Sequence, residues 1–401
     1  MKIIKITFIL FLILQINKIY SQGISEEYKQ EVINSLAITT VDSIDTPHYG
    51  GNAIEAVIDY KIEEAIPGII ANIWKQDPYD QTRFIDALYF LGAEETEEIA
   101  LAFLDSVDTY ENTYFTKLEL KLLAVQTLFY LGNYSKYQIV FDRIEESKPG
   151  LEYGAIFMLP YIIWNYPEHE ERAKQELLKF AYESEEDIYK WYAVVNLDTV
   201  YGEEMVDVYI NVLDGLESPS TRGSIIAEIF KKYKNSTIFN YLKDKLEVES
   251  NEYNRDDIGE QLLLNYGSPA IFKFVKDFQI TDTTNLFLSM AVGTFRPIKP
   301  ANSTVSTFTI LDTLTSYTNQ CYGYEWLKDE AYKAELLNKI TNAKTKLNTG
   351  DSLGCRTEVA SFQNSVNQVY QDSAGSYPKY ISREGYKFLY YYAQYILDRL
   401  P

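Results

Sequence analysis

The chain has 401 residues, with 37 basic against 58 acidic side chains and a formal net charge of −21. That balance excludes nucleic-acid and anionic-membrane binders, whose affinity comes from clustered Lys and Arg neutralising phosphate. With only two histidines and two cysteines, the usual zinc ligands are too few for a metal site.

The first segment reads as an address. In MKIIKITFILFLILQINKIYSQG, Lys2 and Lys5 precede an apolar run from Ile6 to Ile16, and Ser21, Gln22 and Gly23 follow. That order makes a secretory signal peptide over residues 1–22, too short to span a bilayer comfortably. Its YSQG ending resembles the signal peptides of Bacteroidetes-type bacteria. The resemblance implies a secreted, periplasmic or cell-surface protein without stable membrane insertion after cleavage.

Over residues 23–295, helical patterns stop and restart at a nearly fixed interval. The junctions fall at Gly92, Gly132, Asn165, Gly202, Lys234 and Gly267, with spacings of 40, 33, 37, 32 and 33 residues. Each junction follows an aromatic residue or leucine. Glycine, and next best asparagine, suits the left-handed position that ends a helix. Polar or acidic residues then open the next helix, where carboxylates match the positive end of its dipole. Apolar residues recur at helical spacing, as in Leu118, Leu122, Val125 and Phe129. Each unit is thus a pair of antiparallel helices that must stack on its neighbours to bury its apolar faces.

Residues 64–92 resemble a HEAT-type repeat. Ala65-Ile66-Pro67 stands in the first helix, Asp77-Pro78 in the turn, and Arg83 and Ala87-Leu88 in the second helix. GSPAIFKFV at 267–275 resembles the start of another such unit. The resemblance implies an all-α chain built as an α-solenoid, a superhelix of helical hairpins with a concave face for a protein or glycan partner.

Residues 296–319, with Pro297, Pro300 and small polar side chains, are expected to form a linker or transitional helix. The charge also changes there, since residues 23–319 hold 24 basic and 49 acidic side chains and residues 320–401 hold 10 and 9. The last segment, 320–401, reads as three helices. It resembles a small all-helical module of extracellular bacterial proteins sometimes called FIMAH, through Leu337, Ile340, Ala343 and Leu347, then Phe362 and Val366, then Ala393, Ile396 and Leu400.

Cys321 and Cys355 both lie in that module, and in an oxidising compartment a single pair is most simply a disulfide. It would be worth roughly 3–4 kcal/mol in the chain-entropy model. A nucleophilic cysteine would need a base, and His48 and His169 are far away in sequence. The chain carries no phosphate loop, dinucleotide fingerprint or G-x-S-x-G. No cofactor and no catalytic residue is therefore expected. The expected role is a non-enzymatic binding or scaffold protein, with Trp74, Trp164 and Trp191 as ligand-contact aromatics. The alternative is a carbohydrate-active enzyme of (α/α) toroid type, which would use paired carboxylates and the same aromatics as sugar platforms.

Overall fold

A computed structural model describes residues 24–37, 49–111, 115–146, 153–281, 286–301, 304–372 and 375–401; the expected signal peptide lies outside them. The protein is all-α. The only strands among the described residues are two residues long each, and the chain divides into two compact units, 1–202 and 203–401.

The first unit contains α1 (Glu26–Ser35), α2 (Tyr49–Tyr60), α3 (Ile66–Asn72), α4 (Pro78–Leu91), α5 (Thr96–Ser106), α6 (Lys117–Tyr130), α7 (Gln138–Glu146), α8 (Tyr153–Asn165), α9 (Glu170–Glu183) and α10 (Asp187–Tyr201). Local chemistry sets many of the helix ends. Asp77 caps α4 by accepting the N–H groups of Tyr79 and Asp80, and Pro78 occupies the first helical position, where its missing N–H costs nothing. Thr116 and Glu119 form a reciprocal capping box at the start of α6. Gly92 closes α4 at φ +74°, and Gly132 and Gly202 also take positive φ. Gly267 does not (φ −55°), and Lys234 only precedes Asn235, whose side chain caps the following helix.

Packing follows the repeat. Helices α2, α4, α6, α8 and α10 each pack on the next in that series, while α5, α7 and α9 each pack on the two members that flank them. Polar contacts recur at nearly the same sequence interval. Arg83 pairs with Glu55 at 2.7 Å, Asn133 donates to Glu97 at 2.8 Å, Tyr137 meets His169 at 2.8 Å, and Tyr201 donates to Glu170 at 3.4 Å. These pairs lie 28 to 36 residues apart in sequence. The sequence period is therefore the spatial step from one hairpin to the next.

The second unit opens with α11 (Val206–Asp214) and α12 (Pro219–Ser224), the latter running into a π turn at Ile225–Ile229. It continues with α13 (Ser236–Val248), α14 (Glu252–Tyr266), α15 (Pro269–Thr281) and α16 (Leu286–Thr294). Four more helices follow: α17 (Thr307–Gly323), α18 (Glu330–Asn348), α19 (Ser352–Gln371) and α20 (Arg383–Leu397). They close a ring of contacts, α17 on α18, α18 on α19, α19 on α20 and α20 back on α17. The module thus has a fourth helix beyond the three expected, and that helix begins inside the stretch read as linker or transitional helix. Between the helices, β1 (Leu327–Lys328) pairs antiparallel with β2 (Tyr380–Ile381).

Phe388 of α20, fully buried, gathers Phe272, Phe295, Tyr317 and Trp326 around it at centroid distances of 5.6–6.2 Å. Beside it, the Lys387 ammonium donates to the carbonyls of Val292 (3.0 Å) and Gly293 (2.9 Å), satisfying the C-terminal end of α16. Burial pulls its pKa down to about 8.

Two glycines give opposite expectations. A Cβ at either Gly92 or Gly293 would meet open space, but Gly92 is left-handed and Gly293 is helical. Gly92→Ala is expected to cost about 1 kcal/mol and Gly293→Ala to stabilise by about 0.5 kcal/mol, read from denaturant midpoints.

Candidate functional site

The C-terminal ends of α4, α6 and α8 present aromatic side chains at equivalent places in three successive hairpins. They are Tyr89 and Phe90, then Phe129 and Tyr130, then Tyr161 and Trp164. Phe129 turns inward and is buried, whereas Phe90, Tyr130, Leu131 and Trp164 are 40–48 % exposed.

The rings touch in sequence. Tyr89 packs on Phe90 at 5.5 Å and stacks on Tyr130 at 5.6 Å; Tyr134 stacks on Tyr161 at 5.8 Å; Tyr161 meets Trp164 edge-on at 5.7 Å. Phe129 contacts both Tyr134 (5.2 Å) and Tyr161 (6.2 Å), tying the row to the core. Gln126 donates to the Tyr130 hydroxyl at 2.8 Å. Burial, followed by the neighbouring phenols, pushes the Tyr89 and Tyr161 hydroxyls upward, so they remain protonated. The row offers flat apolar faces with hydroxyls at their edges, which suits contact with a partner surface.

The sequence signal for this row was the aromatic that precedes each junction, legible as a helix stop but not as a surface. Of the three tryptophans singled out, Trp164 lies in the row. Trp74 is exposed in the short turn after α3, and Trp191 sits in α10 against Tyr192 at 4.9 Å, with its indole N–H enclosed and unpartnered. No ring contact joins any two of the three among the described residues. A second column, Tyr370–Tyr386–Tyr390, stacks at 4.1 and 4.8 Å between α19 and α20 and is partly buried there.

Two carboxyl groups stand apart electrostatically. Asp86 of α4 is pushed up to about 6 by burial, against the opposing pull of the Thr127 hydroxyl, which donates to it at 2.5 Å, and of Arg83. Asp257 of α14 is likewise raised to about 6, by burial and by the nearby Glu260 and Asp256. It lines an open cavity of about 610 Å³ with Ser220, Ser224, Glu228, Asn251 and Tyr253.

The expected Cys321–Cys355 bond is not formed. Both thiols are free and fully buried, on α17 and α19, which occupy diagonal corners of the four-helix ring. Burial pushes both thiols up, which disfavours the nucleophilic thiolate.

No family model matches this chain, and neither does any curated protein or solved structure. Among the described residues, no group of three or more His, Cys, Asp or Glu is placed to hold a metal ion. Nor is any helix among them long and apolar enough to cross a membrane.

Two measurements follow from this chemistry. Asp86 and Asp257 bind a proton more tightly folded than unfolded, so each opposes folding when ionised, and acidification from neutrality towards about pH 5 relieves the cost. Asp351 and Asp398 are held low, by the Gly354 N–H and by the Lys299 ammonium respectively, and their contribution disappears in stronger acid. Thermal midpoints should therefore rise between about pH 7.5 and 5.5 and fall below about pH 4, and the double variant Asp86→Asn/Asp257→Asn should flatten the rise. Mass measurement of the natively purified chain should find two thiols that alkylate only after unfolding; a mass two hydrogens lower, restored by reductant, would show a bond instead.

Proposed function

We propose that this chain is an exported, non-enzymatic binding protein whose residues 23–295 form HEAT-like hairpins of an α-solenoid, followed by a FIMAH-like helical module. Its partner, a protein or a glycan, docks on the aromatic row of the first unit. The observation that carries this reading is the recurrence of exposed rings at the hairpin interval, Phe90 and Tyr130 each packed on Tyr89, and Trp164 on Tyr161. Successive hairpins with surface rings in equivalent places give a binding strip whose length grows with repeat number. The acidic charge is consistent with the exclusion of nucleic acid and of anionic lipid surfaces.

One observation favours a second reading, a carbohydrate-active enzyme. Asp257, raised towards neutrality in an open cavity that Glu228 and the exposed Tyr253 share, has the proton affinity of a general acid. Loss of polysaccharide cleavage in Asp257→Asn would establish that reading.

For binding, a photo-crosslinking amino acid in place of Trp164 should give a discrete adduct in the cells that export the protein. The same probe replacing Tyr253 is the control. Equal labelling at both positions, or none at 164, would remove the row from the reading.

A further inference from the structure

The aromatic row is bordered by carboxylates. The three junction segments, 89–98, 129–138 and 161–171, contain Glu94, Glu95, Glu97, Glu98, Glu168, Glu170 and Glu171 against the single cation Lys136. Glu94, Glu95, Glu98, Glu168 and Glu171 are exposed. Their placement has a local cause: each follows a helix stop and opens the next helix, where negative charge is favoured. Glu97 also accepts from Asn133 of the next junction at 2.8 Å, so the first two segments adjoin.

The fourth junction shows what this chemistry holds. There the Lys174 ammonium sits 4.6 Å from the Tyr201 ring centroid, and the Tyr201 hydroxyl donates to Glu170 at 3.4 Å. A tyrosine face thus holds a lysine within the chain while the same tyrosine's hydroxyl meets a carboxylate. The three earlier junctions all carry rings and the first and third carry carboxylates, and among the described residues no Lys or Arg lies over Phe90, Tyr130 or Trp164.

We infer that the aromatic row takes an extended polypeptide segment bearing Lys or Arg, each cation lying over a ring and the cations' charge answered by the carboxylates of the first and third junctions. The inference rests on the binding reading above and names the partner's chemistry. An ammonium or guanidinium over an aromatic face is attracted to the ring's quadrupole, and the surrounding carboxylates add a long-range pull that speeds encounter and weakens with salt. Neighbouring helices stand roughly 10 Å apart, about three residues of extended chain. The fitting segment therefore carries a cation at every third position. A neutral glycan would use the rings and leave the carboxylates without a role, and an acidic segment would be repelled.

The test is calorimetric titration of the full chain with three probes. One is a synthetic peptide with Lys at every third position, the next is its Glu counterpart, and the last is a neutral oligosaccharide. The Lys peptide should bind, more weakly as salt is raised, and Tyr130→Ser and Trp164→Ser should each weaken it about tenfold. Glu94→Gln/Glu95→Gln, which leaves every ring in place, should weaken it and reduce its salt dependence. Tyr253→Ser, in the other unit, should leave it unchanged, and unaltered circular dichroism shows that the variants fold. Lys-peptide binding that ignores the ring substitutions would be bulk charge attraction and would overturn the inference. So would failure of the Lys peptide to bind. Oligosaccharide binding lost in Trp164→Ser, without Lys-peptide binding, would overturn the basic partner while leaving the row as a binding surface.

Discussion

A pair of antiparallel helices has more apolar surface than its own contact can cover, and the first unit is organised around that excess. Phe84 and Leu88 of α4, Leu128 and Phe129 of α6, and Leu159 and Ile162 of α8 are all but fully buried, because each of these helices packs on its successor. Covering one large apolar side chain is worth about 2 kcal/mol, so repeating the step is what stabilises a stack in which no hairpin stands alone. The same step decides what stays outside. Phe90 and Tyr130 each come one or two positions after a buried residue, on the helical turn that carries the face past its neighbour into solvent. The aromatic row is therefore a by-product of the packing geometry, repeated because the packing repeats.

The second unit solves the same problem by another route. From α17 onward, four helices close on each other in a ring, and Phe388 brings together aromatic residues from α15, α17, the segment after α16 and the segment before β1. Three residues of the stretch expected as a linker or transitional helix are anchored: the Arg399 guanidinium donates to the carbonyls of Val305 and Pro300, and the Tyr395 hydroxyl to that of Pro297 at 2.7 Å. Prolines suit such a stretch because their carbonyls remain free to accept while no N–H is left to satisfy.

What the sequence disclosed was local. The Asp77-Pro78 turn and the Gly92 and Gly132 stops depend on a few consecutive residues, and the structure has them where the pattern puts them. Helix α17, which begins in the stretch expected as a linker or transitional helix, has a weak local signal because its sequence, TFTILDTLTSYTNQCYG, is rich in threonine, a weak helix former. In the structure, Thr313, Thr315 and Thr318 turn their hydroxyls back to carbonyls four residues earlier. The β1–β2 pair is too short to show alternation. The stacking of Tyr89 on Tyr130 joins residues 41 positions apart, and only helix packing brings them together. The three tryptophans share a residue type but not a place: Trp164 lies in the aromatic row, and Trp74 and Trp191 lie outside it.

The Lys387 contact with the end of α16 sets an order of events. In the first unit, the polar links between hairpins join residues about 30 apart, so each step can form soon after its second member has been made. Val292, Gly293, Pro297, Pro300 and Val305 are held instead by Lys387, Tyr395 and Arg399, which lie 94 to 99 positions further along. Closing loops of that length carries the larger entropic cost and slows assembly. A chain emerging from its N-terminus can therefore consolidate the first unit hairpin by hairpin, whereas the end of α16 waits for α20.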